Sequence, residues 1–304
     1  ILISLLITSA SARKPNIILI YMDDMGYSDI GCFGSTKNRT PVLDQMAQEG
    51  MRFTDFYVTS GVCTPSRSSL LTGCYPRRLN MHIDQNNKWV LFPNARKGLN
   101  PDETTIAEIL KEQGYATACI GKWHLGDQPD FLPTRHGFDS YFGIPYSNDM
   151  GRKNIPLPLL RDEQVIEAPV AQSPITRRYT EEALKFIQTN REKPFFLYLP
   201  HTSVHLPLFP GEKFKGKSSN GKYGDWIEEV DTCTGIILET LKKEKIDQNT
   251  LVIFTSDNGT DHRIRSLHNG LSIPGAKGKM TEDATHVPFL VRWPAVVDKN
   301  SQIN

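Results

Sequence analysis

"NIILIY", residues 16–21, is a short, unbroken apolar run, and Asp23 and Asp24 come almost directly after it. An apolar run of this length with no polar alternation is the pattern of a strand covered on both faces. Four further stretches repeat it: "ATACI" (116–120), "FFLYL" (195–199), "TLVIF" (250–254) and "VPFLV" (287–291). Helical segments alternate with them. "PVLDQMAQEG" follows Thr40 as a candidate N-cap, with Pro41 at the first helical position and Gly50 as the stop. "TTIAEILKEQG" (104–114) has the same grammar, and residues 176–189 and 225–243 also read as helices. Strands alternating with helices predict an α/β fold, a large and mostly parallel sheet sandwiched between helices. The stretch from Met150 to Ser173, rich in proline and charge, reads as a long surface excursion.

The residues just beyond each strand point to one place. After 16–21 come Asp23 and Asp24; after 116–120 comes "GKWHLG" with Lys122 and His124. After 195–199 comes "PHTSVH" with His201 and His205, and after 250–254 comes "TSDNG" with Asp257 and Asn258. Open α/β sheets bind ligands beyond the carboxyl ends of their strands. Alone, an Asp-Asp pair or an Asp-Asn-Gly triplet is an ordinary turn. Their joint placement makes a site. Three carboxylates and a carboxamide oxygen are a hard ligand set, suited to Ca²⁺ or Mg²⁺ rather than zinc. Arg67, Lys122, His124, His205 and Lys277 supply a cationic set. A metal among cations is the electrostatic description of a site for a tetrahedral oxyanion ester, a phosphate or a sulfate.

The bulk numbers restrict the alternatives. A length of 304 residues fits one large α/β domain, or a large and a small one. A net charge of +1 gives no bulk field for nucleic acid or an anionic membrane. "ILISLLITSASA" (1–12) resembles the back half of a secretory signal peptide, with an A-x-A-like cleavage site after Ala12. It predicts an exported protein, extracellular, lysosomal or periplasmic; no other stretch approaches the ~18 apolar residues of a membrane span. None of the five cysteines pairs in a C-x-x-C. Their odd number leaves at least one unpaired. Cys63 is the candidate, and Cys32, Cys74, Cys119 and Cys233 are left open. Asn38-Arg39-Thr40 and Asn258-Gly259-Thr260 fit the glycosylation pattern. A metal-ligating Asn258 would be excluded.

Cys63-Thr64-Pro65-Ser66-Arg67, with Thr72-Gly73 a few residues on, resembles the C-x-P-S-R signature of the type I, formylglycine-dependent sulfatases. "YMDDMGYSDIGCFG" (21–34), "LLTGCYPRR" (70–78), "GKWHLG" (121–126), "HGFDSYFGIPYSND" (136–149) and "TSDNG" (255–259) occur in that family's order. The resemblance runs from about Asn16 to Trp293 and is nearest the arylsulfatase A-like branch. It implies an alkaline-phosphatase-like fold, with residues 13–304 as the catalytic domain and a smaller C-terminal domain largely missing. It implies hydrolysis of sulfate monoesters, the natural substrate being a sulfated glycan or glycolipid. By resemblance, a maturation enzyme oxidises Cys63 to formylglycine, whose hydrate attacks with one hydroxyl and expels sulfate with the other. Asp23, Asp24, Asp257 and Asn258, with an oxygen of modified residue 63, match the metal ligands, Ca²⁺ being the usual ion and Mg²⁺ the lesser choice. Arg67 would hold the diol and the metal carboxylates, and Lys122, Lys277, Ser147 and His205 match substrate-binding positions. His124 would take the proton of the second hydroxyl, and His205 would protonate the leaving alcohol. His201 is balanced between a site role and a structural one.

The family's Trp/Tyr-Glu-Gly-Gly stretch near Lys277 is replaced here by Thr281-Glu282-Asp283-Ala284, with His286 beyond. Two other readings stand beside hydrolysis of sulfate esters. A phosphomonoesterase or phosphodiesterase on the same fold would typically show a Ser or Thr nucleophile and histidine-bound zinc. A catalytically silent binder of sulfated glycans would not need every catalytic position filled.

Overall fold

The computed structural model describes residues 13–304, so the expected signal segment 1–12 lies outside the described residues. Along the chain run β1 (Asn16–Met22), α1 (Pro41–Glu49), β2 (Met51–Phe53), α2 (Cys63–Thr72), α3 (Ile106–Glu112) and β3 (Ala116–Ile120). Next come β4 (Ser140–Gly143), β5 (Leu159–Arg161), β6 (Gln164–Glu167), α4 (Ile175–Asn190), β7 (Phe195–Pro200) and α5 (Gly221–Lys243). The last are β8 (Thr250–Ser256), β9 (Arg265–His268), β10 (Leu271–Pro274), α6 (Glu282–Thr285), β11 (Phe289–Arg292) and β12 (Ser301–Ile303).

Ten strands form one sheet in the order β12-β2-β11-β8-β1-β7-β3-β4-β5-β6. Its centre, β8-β1-β7-β3-β4, is parallel throughout. The flanks are mixed: β11 runs antiparallel to both β8 and β2, and β5 and β6 add an antiparallel hairpin at the far edge. The sheet is covered on both faces, and the pleat divides the strands between the two layers. Ile18, Ile20 and Met22 of β1 enter one core cluster, Leu19 and Tyr21 the other. On β7, Leu197 and Leu199 face the first cluster, Phe196 and Tyr198 the second.

Helix ends are closed in two different ways. At α3, Thr105 and Glu108 form the capping box that the sequence suggests. At α1, Thr40 is the N-cap residue, but its hydroxyl accepts from Gly31 N (2.9 Å) rather than capping the helix. The free amides of Val42 and Leu43 are instead accepted by the Asp231 carboxylate of α5, at 3.2 and 2.9 Å. A long-range partner does the work of a local cap.

Two expectations change, and one open question closes. The Met150–Ser173 stretch is not merely a surface excursion. Leu159 and Leu160 are buried, and Asp162 turns the chain at φ 56°, so the segment lengthens the sheet by two strands. The Asn38 glycosylation site is 6% exposed, its amide donating to Asp29 O (3.0 Å) and accepting from Asn220 Nδ2 (2.7 Å), so the folded chain withholds it. Cys32, Cys74, Cys119 and Cys233 are free, as is Cys63. Among the described residues no helix is long and apolar enough to cross a membrane.

Gly121 follows β3 and starts the turn that carries Lys122. It holds φ 140°, and a Cβ there would overlap the Pro200 carbonyl. Gly114 also has a positive φ (82°) but faces open space. Gly121→Ala should therefore lower stability by ~3 kcal/mol or more, Gly114→Ala by only ~1 kcal/mol. Urea unfolding of the two variants checks this, and equal losses would contradict it.

Candidate active site

The four central strands β8, β1, β7 and β3 are parallel neighbours, so their carboxyl ends meet at one edge. Asp23 and Asp24 follow β1, Asp257 and Asn258 follow β8, Lys122 and His124 follow β3, and His205 lies beyond β7. Each is buried, His205 being the most exposed at 7%. Asp24 and His124 adopt left-handed backbone conformations, φ 62° and 60°, which cost a non-glycine residue about 1 kcal/mol. Such strain concentrates where a turn must aim a functional group.

Helix α2 brings the Cys63–Arg67 segment to this edge. Val62 is its N-cap and Cys63 its first residue; Pro65 has no N–H and Ser66 N bonds Val62 O, so the free amides at this helix start are those of residues 63 and 64. Arg67, one turn on, fixes the helix to the strand ends. Its Nε and Nη2 both donate to Asp257 Oδ2, at 3.0 and 2.8 Å, and Nη1 donates to Lys122 O at 3.0 Å. Its guanidinium lies 5.4 Å from the centre of the Tyr21 ring. Asp257 Oδ1 accepts the Asp24 amide at 3.1 Å, tying β8 to β1.

The cations then divide the remaining carboxylates. Lys122 Nζ donates to Asp23 Oδ2 (2.5 Å) and approaches Ser147 Oγ (3.3 Å). Lys277 Nζ pairs with both oxygens of Asp24, at 2.7 and 2.8 Å. The loop holding Lys277 reaches the site although its sequence departs from the family pattern. Lys277 N donates to Thr260 O, and Gly259 N to Ala284 O at the end of the short α6. Ser147 Oγ lies 3.4 Å from His205 Nε2, which is 3.8 Å from Asp24 Oδ2. His124 Nε2 meets Leu91 O at 2.9 Å. A carbonyl only accepts, so Nε2 carries the proton and the buried, unpartnered Nδ1 keeps its lone pair.

Burial and charge set the protonation states. Burial alone would raise Asp23, but the Lys122 ammonium, with the Arg67 guanidinium, outweighs it and holds that carboxyl well below its usual range. Burial raises Asp24 despite Lys277, and burial with the Asp23 charge pushes Asp257 up to about 7, against Arg67. Burial and Asp257 push the Cys63 thiol well up. That is the reverse of a reactive cysteine, whose pKa is lowered. His124 is pushed well below its usual value by burial, then Lys122 and Arg67. His205 falls to about 3 through burial and Lys277.

The residues fit a divalent cation. Ligand atoms of Asp23, Asp24, Cys63 and His205 lie within 4.8 Å of one another, and Cys63 Sγ is 3.4 Å from Asp23 Oδ1. Asn258 donates its amide to Asp24 Oδ1 at 2.8 Å, leaving its own Oδ1 buried without a partner. An orphaned hard oxygen beside two carboxylates is what a cation would satisfy. The tight grouping includes His205, assigned from sequence to the leaving group, and not Asp257, whose oxygens are taken by Arg67 and the Asp24 amide.

His201 stands apart. Its ring is buried beside Tyr179, with Nδ1 unpartnered, burial pushes it to about 4, and it does not line the cleft above Cys63. Asp29 was missed by the sequence reading. Fully buried, it accepts from Gly26 N (2.9 Å), Tyr223 OH (2.6 Å), Thr260 Oγ1 (2.6 Å) and Ser266 Oγ. It thereby joins the loops after β1 and β8. A carboxylate among the apolar residues of "GYSDIGCF" was the available signal.

Known proteins share the chain's sequence and fold. The Sulfatase family model matches residues 15–304. Arylsulfatase A of Homo sapiens is 39% identical over 97% of this chain and 62% of its own length. N-acetylgalactosamine-6-sulfatase of Canis lupus familiaris is 38% identical over 94% of this chain and 58% of its own. A solved sulfatase structure described under glycosaminoglycan metabolism by Bacteroides thetaiotaomicron superposes with a TM-score of 0.85 at 31% identity, covering 96% of this chain and 74% of that one. The chain thus spans about three fifths of the length of the curated relatives it matches. With its family model matched almost end to end, its sheet edge assembled and its C-x-P-S-R helix in place, the chain belongs to the sulfatase family.

Proposed function

We propose that the protein hydrolyses sulfate monoesters, with residues 13–304 as its catalytic domain, residue 63 converted to formylglycine and Ca²⁺ held by Asp23, Asp24, Asp257 and Asn258. The observation that carries this reading is the place of Cys63. It stands at the first turn of α2, against Asp23, among three carboxylates and three cations, with a thiol that burial keeps protonated. A thiol so placed is a poor nucleophile and a poor disulfide partner. It is well placed as the precursor of something else. Cys63 is 1% exposed, so a maturation enzyme would have to reach it before the chain folds. An exported protein passes through such an unfolded stage.

Formylglycine, as its hydrate, would supply one hydroxyl to attack sulfur and a second to release sulfate. The cation would draw negative charge from the ester oxygens. The chain's own residues do the rest. Lys122 and Lys277, anchored by Asp23 and Asp24, present fixed ammonium groups to the ester oxygens, and Ser147 adds a hydroxyl. With Arg67 they balance the charges of Asp23, Asp24 and Asp257, so a bound divalent cation leaves the site positive and selects an anion. His124, neutral and with Nδ1 free, accepts a proton beside residue 63. His205 is neutral in the resting site, and the negative charge of a bound ester opposes the push from Lys277, letting it hold a proton for the leaving alcohol.

Cys63→Ser in the full-length protein should lose multiple-turnover hydrolysis of an aryl sulfate by about 10³-fold or more. Serine supplies an attacking oxygen but no second hydroxyl, so any reaction stops as a covalent sulfate ester at position 63. Mass spectrometry after one exposure detects that ester, and wild-type turnover by the variant would contradict the assignment. Stripping with EGTA should abolish turnover and added Ca²⁺ restore it. Asp257→Ala should fail to recover at any Ca²⁺ concentration, because it also removes the anchor of Arg67. Calorimetric Ca²⁺ titration checks binding separately, and full activity in metal-free protein would refute the metal role.

A further inference from the structure

Three separate segments meet beside Cys63 in a closed ring of hydrogen bonds. Thr64, 1% exposed, donates its hydroxyl to His124 O at 3.0 Å and accepts from Leu91 N at 3.2 Å. The His124 ring completes the cycle, with Nε2 meeting Leu91 O at 2.9 Å. A hydroxyl has one hydrogen, so once His124 O accepts it the Thr64 oxygen is left to accept from Leu91. His124 holds φ 60°, and its own N–H donates to Pro145 O at 3.1 Å. Thr64 and Pro145 thus grip both peptide groups of one strained residue.

The cycle decides which ring nitrogen of His124 keeps its lone pair. Burial, then Lys122 and Arg67, hold the ring neutral, and a neutral imidazole carries one N–H. On Nε2 that N–H meets Leu91 O, and Nδ1 is left as a buried acceptor without a partner. On Nδ1 it would be a buried donor without a partner, and the Nε2 lone pair would face a carbonyl oxygen at 2.9 Å. Both are penalties. The choice therefore depends on where Leu91 O stands. Leu91 lies in the irregular segment between α2 and α3, where neither a helix nor a strand places its backbone. Its side chain is buried in the core, and its amide is placed by the Thr64 hydroxyl.

We infer that Thr64 is a positioning residue: through Leu91 it holds His124 in the Nε2–H tautomer, so that Nδ1 can take the proton whose loss expels sulfate. This rests on the proposed sulfate-ester hydrolysis. In that step His124 Nδ1 takes the proton of the second hydroxyl at residue 63. The O–H electron pair becomes the C=O bond, and the C–O bond to sulfate breaks with its electrons leaving on the sulfate. No further reactant enters. His124 and Cys63 line the same cleft, and Thr64 reaches the reaction only through the two residues it bonds. Attack on sulfur makes no use of Nδ1, so Thr64 should govern release of sulfate and leave the attack alone.

The test uses matured, full-length wild type, Thr64→Val and Thr64→Ser, with rates divided by the formylglycine content of each, because residue 64 adjoins the maturation site. Mixed rapidly with 4-nitrophenyl sulfate, Thr64→Val should release its first 4-nitrophenol within about twofold of the wild-type rate, while steady turnover falls about tenfold or more. Thr64→Ser, which keeps the hydroxyl, should recover most of the loss. Nitrogen-15 NMR of labelled histidines reads the tautomer without turnover, the His124 signal being identified by its loss in His124→Gln. It should show Nε2 protonated in wild type and a mixture of tautomers in Thr64→Val. If Thr64→Val does not fold, Thr64→Ala is read in the same way. An Nδ1–H tautomer in wild type, or unchanged steady turnover in Thr64→Val, would overturn the inference. So would equal losses in first and later turnovers with a lowered melting temperature and no rescue by serine, which would make Thr64 a packing residue. Wild type inactive on the aryl sulfate would instead refute the underlying hydrolysis, and the inference with it.

Discussion

The buried ion pair between Arg67 and Asp257 is the constraint on which the rest of the site depends. Both side chains are fully buried, and two guanidinium N–H groups converge on one carboxylate oxygen. Removing one partner of such a pair leaves an uncompensated buried charge, typically worth about 3–5 kcal/mol. Its geometry also joins separate parts of the chain. Arg67 belongs to the helix that begins with Cys63, Asp257 ends β8, the Lys122 carbonyl it also meets follows β3, and the Asp24 amide bound by Asp257 follows β1. One interaction thus sets where residue 63 stands relative to three strand ends. Lys122 with Asp23 and Lys277 with Asp24 repeat the pairing of one cation with one carboxylate at the same edge.

Much of this was legible in the sequence. The central strands are unbroken apolar runs because both faces of the sheet are covered, and that pattern survives in one dimension. The polar residues immediately after those runs could be assigned to one edge because parallel strands end on the same side. What periodicity does not report is partnership across long separations. The mixed flanks rest on strands of three or four residues, such as β2, β5 and β12, too short to carry a period. Asp231 capping α1 from α5, and Asp29 bridging the loops after β1 and β8, join residues up to 237 apart and leave no periodic trace in the sequence. His201 and His205 look alike in "PHTSVH", and only the structure separates them: His201 packs beside Tyr179 away from the cleft, while His205 lies beside Ser147 and Asp24.

The molecule also divides its tasks by element. Groups proposed for chemistry are buried at strand ends and a helix start, where backbone and ion pairs fix them. The groups around the cleft mouth lie on loops after α2, β4 and β8 and are mostly exposed, the usual division between a rigid scaffold and a variable binding surface. Sulfate-ester chemistry can therefore stay constant in such a fold while the alcohol it accepts changes with the loops.

The central claim is that Cys63 is a precursor and not itself the working group. The most direct measurement is the mass of the peptide containing residue 63, taken from full-length protein whose turnover of an aryl sulfate has been measured on the same sample. The account predicts that the thiol has been replaced by an aldehyde, in a fraction that rises and falls with specific activity across preparations. An intact thiol at position 63 in fully active enzyme would contradict it.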